Sequence, residues 1–443
     1  MKLYSIIKPT AVFILSLSCL MSLQAQEVLK LTLEQALDIA KKDNPTIKVA
    51  NQEIKLKQTA KKEAVWNLMP EASLEGSYTR TLKKQTFAMG DQQVKVGTDN
   101  SYSGGLSVSL PIFAPSLYKA IHLSKSDVEL AVEQARASEL DLENQVTKAF
   151  YQLLLTQDSY EVLKKSYAQS EENFRIVNEK FKQGKVSEYD KISAEVQMRS
   201  LKPGVVSARN GVNLAKLQLK VLMGITADVD IQTDDNLKNY ETQLSDTQLH
   251  DDTYRIDLQG NSELKQLELN AQMQKQNLQL QRTNFMPTLS ASFQYMFTSL
   301  NDNFRFSSYK WNPYSIVGLN LSIPLFRGSN FTKVKQTRIQ MQQLEENRIN
   351  TERQLHMQAT SYLDNMAASA EQVSSNREAV AQAMKGRDIA TKRYEVGKGT
   401  ILELNSSEVA LTEAELTYNQ SIFDFLSAQA DLNKILGQNK HSK

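Results

Sequence analysis

The chain is poor in the residues from which disulfide-stapled and loop-rich proteins are built. Its 443 residues include one cysteine, 9 prolines, 16 glycines and only 7% aromatics. A single cysteine excludes a disulfide framework. So little Gly and Pro leaves no material for a loop-rich fold, or for the regular tight turns of a doubly wound α/β sheet. Neither sign of charge dominates: 52 Lys+Arg stand against 50 Asp+Glu, a formal charge of +2, so nothing marks nucleic acid or an acidic polymer as a partner. Long apolar runs are missing as well. One segment alone approaches the ~20 residues of a membrane-spanning helix, and a bundle of such helices is excluded.

That segment, Ala11 to Leu23, follows Lys2 and Lys8 and leads to Ala25. A basic start, a short apolar core and a small residue form a secretory signal over residues 1–25, too short to stay as an anchor. Its removal takes away Cys19 and leaves 50 basic and 50 acidic residues. Ser16-Leu17-Ser18 also lacks the apolar residue that normally stands three positions before a lipidated cysteine. The expected mature chain is exported and free of disulfides.

What the chain does have is an internal duplication. Asn-Leu-Met-Pro at 67–70 recurs as Asn-Phe-Met-Pro at 284–287. Leu106-Ser-Val-Ser-Leu-Pro-Ile-Phe113 recurs as Leu319-Asn-Leu-Ser-Ile-Pro-Leu-Phe326, and Phe181-Lys-Gln-Gly-Lys as Tyr394-Glu-Val-Gly-Lys. Landmarks repeated in order mean two copies of one supersecondary unit. The first copy covers residues 26–225 and the second 261–438, with a tail at 439–443. Between them, 226–260 holds nine acidic residues and two basic ones, which reads as a solvated acidic linker, the alternative being an equatorial segment whose short helix packs sideways on the main body.

Each copy opens with helical pattern and changes to a period of two after its Met-Pro. Residues 116–183 contain neither Gly nor Pro, and as one helix would run about 100 Å. Within it Val146, Ala149, Leu153, Thr156, Tyr160, Leu163, Tyr167, Ser170, Phe174, Val177 and Phe181 follow alternating spacings of three and four, nine of the eleven apolar or aromatic, the seam of a coiled coil. The matching helix, 330–394, carries a wetter seam, interrupted by Ser369, Asn376 and Arg387. Gly184 and Gly397 end these helices in the left-handed conformation that glycine adopts freely. Ser187 with Asp190, and Thr400 with Glu403, fit the capping pattern that starts return helices at 187–223 and 400–435. Pro203-Gly204 should kink or break the first of these. Thr32-x-x-Gln35 caps a short helix that ends before Asn44-Pro45.

The β-hairpins lie at about 71–113 and 288–326. In the strands, Leu106, Val108 and Leu110, and Leu319, Leu321 and Ile323, share an apolar face, against Ser107, Ser109, Asn320 and Ser322 on the other. A segment of about 10 residues is what a tilted strand needs to cross a bilayer. Four strands are too few to close a barrel, for which about eight are needed, whereas three chains supply twelve. The tips, Leu82–Ser101 and Thr298–Pro313, are long and polar.

At this point the chain resembles the TolC-like outer membrane efflux proteins. The resemblance rests on Leu31-Thr-Leu-Glu-Gln-Ala-Leu followed by Asn44-Pro45, on both strand–Pro–Phe exits, and on Arg393-Tyr-Glu-Val-Gly with the series running to Ile435-Leu-Gly437. It implies an α+β membrane protein: a homotrimer whose 12-stranded β-barrel in the outer membrane continues into a periplasmic helical barrel. It also implies a periplasmic adaptor and an inner-membrane transporter as partners, without a cofactor. In that family the narrow end is closed by acids just past the helix turns and by a tyrosine before the glycine; by position these are Asp190, Glu403 and Tyr394. Gly399 stands where a basic residue can occur, and Ser406 where a second acid can.

No enzyme chemistry competes. His122, His250, His356 and His441 are scattered, and no phosphate loop, dinucleotide fingerprint or nucleophile elbow occurs. The expected function is a passive exit duct for small molecules. A protein-secretion or metal-ion duct of the same fold is the alternative, and a periplasmic coiled-coil adaptor or scaffold is the rival from another class. The adaptor leaves the alternating strands unexplained.

Overall fold

A computed structural model describes residues 28–89, 92–226, 228–242, 256–305, 307 and 309–438; the proposed signal and the tail at 439–443 lie outside them. In chain order the elements are β1 (Val28–Lys30), α1 (Leu33–Asp43), α2 (Pro45–Trp66), β2 (Glu71–Arg80), β3 (Gln85–Met89), β4 (Gln92–Val96), β5 (Asn100–Phe113) and α3 (Pro115–Lys182). They continue with α4 (Glu188–Met223), β6 (Asp230–Gln232), a 3₁₀ turn (Leu237–Tyr240), α5 (Ser262–Thr283), β7 (Thr288–Asn301), β8 (Asn312–Ser322), α6 (Gly328–Glu395) and α7 (Ile401–Leu436). Corresponding helices match in length: α2 and α5 have 22 residues each, α3 and α6 have 68, and α4 and α7 have 36.

Contacts divide the chain into two units, and neither is one copy of the repeat. One unit comprises residues up to 49 with 136–262 and 353–443; the other comprises 50–135 and 263–352. Each draws on both copies.

The second unit holds a four-stranded antiparallel sheet in the order β2-β5-β7-β8. Register places Leu74 opposite Leu106, Val108 opposite Phe293, and both Ala291 opposite Leu319 and Leu289 opposite Leu321. Directly paired residues share a face, so the apolar positions of all four strands form one continuous surface. On the other face Ser77 and Ser103 share a hydrogen bond of 2.7 Å. Helices attached to these strands keep the same lateral order. Lys57 of α2 pairs with Asp127 of α3 (3.1 Å), Gln276 of α5 donates to Ser126 of α3 (2.8 Å), and Phe285 just past α5 meets Phe331 of α6 edge-on.

Three expectations are corrected here. First, the tip between β2 and β5 is not a plain loop, because β3 and β4 pair within it. Second, β8 ends at Ser322, leaving Ile323 outside the strand; Pro324 next to it has no N–H with which to extend the ladder. Third, α4 runs unbroken through Pro203. Proline removes one i→i−4 hydrogen bond, to the carbonyl four residues earlier, and the turns on either side carry the 36-residue helix through.

In the first unit α3 is central. Val177 of α3, Ala194 of α4 and Ile401 and Leu404 of α7 are buried together. Asn144 and Lys148 of α3 reach Asp431 of α7 at 2.8 and 2.9 Å. The acidic segment is more than a linker. Its β6 pairs in parallel with β1, and Ile231 and Leu237 are fully buried. Asp158 of α3 accepts the Leu237 N–H at 3.0 Å, and the ring of Tyr240 stands edge-on to Tyr151 at 5.2 Å. Beside its heptad seam α3 also buries Phe150, Tyr151 and Leu154, and Tyr151 meets this segment through Tyr240. The repeat is visible in detail as well: Asn44 donates to the carbonyl of Leu222 near the end of α4, and Asn261 to that of Ile435 near the end of α7, each at 2.7 Å.

Candidate functional site

Two helix turns in the first unit carry the residues singled out for the narrow end. Gly184 and Gly397 both have positive φ, 68° and 73°. Their N–H groups donate to Phe181 (2.8 Å) and Tyr394 (3.2 Å), while Lys185 and Lys398 donate back to the carbonyls of Lys180 and Arg393. This pattern closes a helix on a left-handed residue. The restart is asymmetric. In the first turn Ser187 and Asp190 form a full capping box: Ser187 Oγ accepts the Asp190 N–H at 3.1 Å, and Asp190 Oδ2 accepts the Ser187 N–H at 3.1 Å. In the second turn Thr400 accepts the Glu403 N–H at 3.2 Å, but the Glu403 carboxylate turns to Arg393 at 3.6 Å.

Asp190 lies within electrostatic reach of Tyr394, and Glu403 has a partner that sequence reasoning did not assign, Arg393. Tyr394 packs on the Val177–Ala194–Ile401–Leu404 core with Phe174, Val186 and Ala390. Its hydroxyl is buried without a hydrogen-bond partner, and Lys180 Nζ stands 4.8 Å from the ring centroid. Burial pushes the Tyr394 phenol above its ordinary range, and the charge of Asp190 acts in the same direction. Gly399 lies tight against the chain before it: a Cβ there would come within 3.1 Å of Arg393 Cβ. A side chain at Gly399 would need the chain before it to give way by a few tenths of an ångström, and Arg393, ahead of the glycine, supplies a cation to Glu403. The readable signal was its place beside Tyr394.

In the second unit the sheet is the other functional surface. Leu74, Leu106, Leu110, Val317, Leu319 and Leu321 of its apolar face are exposed, with Val317 at 79% and Leu319 at 72%. Exposed aromatics stand at every strand–helix junction: Trp66 before β2, Phe113 after β5, Phe285 before β7 and Phe326 after β8. At the far end of the strands Tyr78 stacks on Tyr102 at 4.7 Å, near Phe304, and Trp311 and Tyr314 are exposed. An apolar band between two aromatic belts is the surface pattern of a membrane-spanning sheet. No helix among the described residues is long and apolar enough to cross a membrane.

The outer membrane efflux protein family matches this sequence over residues 36–225 and 254–438. The chain belongs to that family. Among relatives of this efflux protein, the outer membrane protein TolC of Escherichia coli is 23% identical over 392 residues, covering 85% of this chain and 76% of TolC. TolC of Vibrio cholerae is 21% identical over 340 residues, 76% of each chain. Of solved structures, the outer membrane channel CmeC of Campylobacter jejuni has a TM-score of 0.72 at 18% identity, covering 94% of this chain and 90% of CmeC. CusC has a TM-score of 0.74 at 17% identity and covers 93% of each chain. The open-state channel MtrE of Neisseria gonorrhoeae has a TM-score of 0.71 at 16% identity, covering 92% of this chain and 89% of MtrE. This efflux protein resides in the outer membrane with a large periplasmic portion, and it serves as an exit duct. The adaptor reading is thereby set aside.

The unpartnered hydroxyl of Tyr394 makes a sharp prediction. Tyr394→Phe keeps the ring and removes a group that burial only penalises, so thermal stability should hold or rise by up to about 1 kcal/mol. Tyr394→Ala removes the packing as well and should lower it by roughly 2–3 kcal/mol. Melting curves of the purified variants check both.

Proposed function

We propose that three copies of this chain form one passive duct for small molecules, loaded through a periplasmic adaptor and an inner-membrane transporter. The observation that carries the reading is the sheet. Among the described residues β2 and β8 each have one unpaired edge, and the apolar face is uncovered. Unsatisfied edges are costly in lipid, and a closed barrel removes them. Joining β8 of one copy to β2 of the next gives twelve strands, with Leu106, Val108, Leu110, Leu319 and Leu321 toward lipid and the Ser/Gly face toward a wet lumen. The helices favour the same assembly. Tyr189, Ile192, Val196, Val206, Leu214, Leu217 and Val221 are exposed along α4 at helical spacing, a coiled-coil seam left uncovered among the described residues.

At the narrow end the reading assigns Asp190, Glu403 and Tyr394 to the constriction. Three copies place up to six carboxylates around one axis, where a ring of like charge favours cations and repels anions. Because Asp190 also caps α4, its charge and its hydrogen bonds have separate effects.

Two outcomes follow from this reading. Native mass measurement in mild detergent should give three chains; a monodisperse monomer with intact β signal contradicts it. Replacing Asp190→Asn and Glu403→Gln together keeps hydrogen-bonding groups at both turns and removes the charge. Planar-bilayer recordings should then show weaker cation preference at similar or higher conductance. Unchanged selectivity assigns the constriction elsewhere.

A further inference from the structure

One buried carboxylate is not used by the turns. The buried stripe of α7 runs through Ile401, Leu404, Leu411, Tyr418 and Ile422, and Glu408 sits within it, 7% exposed. On α6 the seam is interrupted by Arg387. The two interruptions belong together, because Arg387 is the cation within electrostatic reach of Glu408. From α3, Asn173 Nδ2 donates to Glu408 Oε1 at 2.5 Å, and Asn173 is itself buried and linked to Gln169 at 3.4 Å. Two helices thus meet at this carboxyl, α7 and α3, with Arg387 of α6 within electrostatic reach, about one turn along α7 from the Ile401–Leu404 core.

The surrounding charges define its electrostatics. Facing Glu408, α3 offers the neutral amide of Asn173; Glu172 and Arg175 on that helix pair with each other at 2.7 Å and are exposed. On α6, Arg387 is shared, with Asp388 Oδ1 3.0 Å from its Nε. Next to Glu408 on α7, Thr412 donates to Ser166 of α3 at 2.9 Å, another neutral contact. Glu403 is occupied by Arg393. A buried anion with one shared cation and one amide is under-compensated relative to water.

We propose that Glu408 is a pH-dependent positioning residue of the narrow end, seating α7 firmly against α3 and α6 when its carboxyl is neutral and loosening that seat when it ionises. The proposal rests on the duct reading above. Its sign follows from which state holds the proton. Burial outweighs Asn173 and Arg387 and raises the Glu408 carboxyl above its ordinary range. The packed arrangement therefore binds the proton more tightly than a hydrated one. Packing at this layer is fully favoured below the ordinary carboxylate pKa and is lost as pH rises through the raised value.

The test is conductance of the full chain in planar bilayers across about pH 5 to 8, a range above the titration of exposed carboxylates. Parent, Glu408→Gln and Arg387→Gln are compared. Parent conductance should climb with pH, the open-to-closed ratio changing about tenfold for each unit separating the packed and hydrated pKa values. Glu408→Gln keeps the shape and the acceptor for Asn173, so it should stay at the low-pH conductance throughout. Arg387→Gln removes the charge that favours the ionised form and should steepen the climb. A parent-like climb in Glu408→Gln overturns the proposal and leaves the duct intact. A parent that forms no channels overturns the duct reading, and the proposal with it. Should Glu408→Gln fail to assemble, a climb in Arg387→Gln equal to the parent's overturns the proposal on its own.

Discussion

Everything in this molecule depends on the uncovered sheet. Four strands pair through three ladders and leave two edges, while the long helices pack on one another and not across the apolar face. In water such a face is an aggregation hazard; against lipid it is the required solvent contact. Residence in the outer membrane answers the exposed Leu and Val side chains, and the two edges left among the described residues are what the proposed pairing between copies would close. The lateral order of α2, α3, α5 and α6 repeats that of β2, β5, β7 and β8, so whatever curvature closes the sheet is passed to the helices attached to it.

The helices of this fold were legible because their signals are local. Gly- and Pro-free stretches, Thr/Ser caps and Gly stops set boundaries within one or two residues of those observed, as for 116–183 against Pro115–Lys182. Strand faces were equally readable, since a period of two is visible in sequence and the register places Val108 across from Phe293 as the pattern requires. What escaped depends on tertiary contact. Nine acidic residues made 226–260 look solvated, but Ile231 and Leu237 are its anchors, and their burial needs β1 and α3 from elsewhere in the chain. Pro203 looked like a break because sequence alone does not say whether the turns on either side carry a helix through the one hydrogen bond that proline removes.

The turns show how a charged site is distributed when the expected residue is absent. Gly399 and Ser406 left the second turn short of ionic partners, and Arg393 reaches Glu403 from before the glycine, at an exposed separation of 3.6 Å. A contact of that kind contributes little to stability, on the order of 0–1 kcal/mol. Packing around Tyr394 and the fully buried Val177 does more to hold the turns together. Apolar contacts hold these turns and charge adjusts them, the electrostatic part being the smaller of the two.

The central claim is that one face of the sheet meets lipid and the other lines water. Single cysteines placed from Ser103 to Leu110 in the mature chain, which is expected to lack native ones, test it in intact outer membranes with a membrane-impermeant thiol reagent. The account predicts alternation: Ser103, Ser107 and Ser109 positions label from the aqueous side, and Leu106, Val108 and Leu110 positions are protected and respond to lipid-borne quenchers. Uniform labelling along β5, or an inverted alternation, contradicts it.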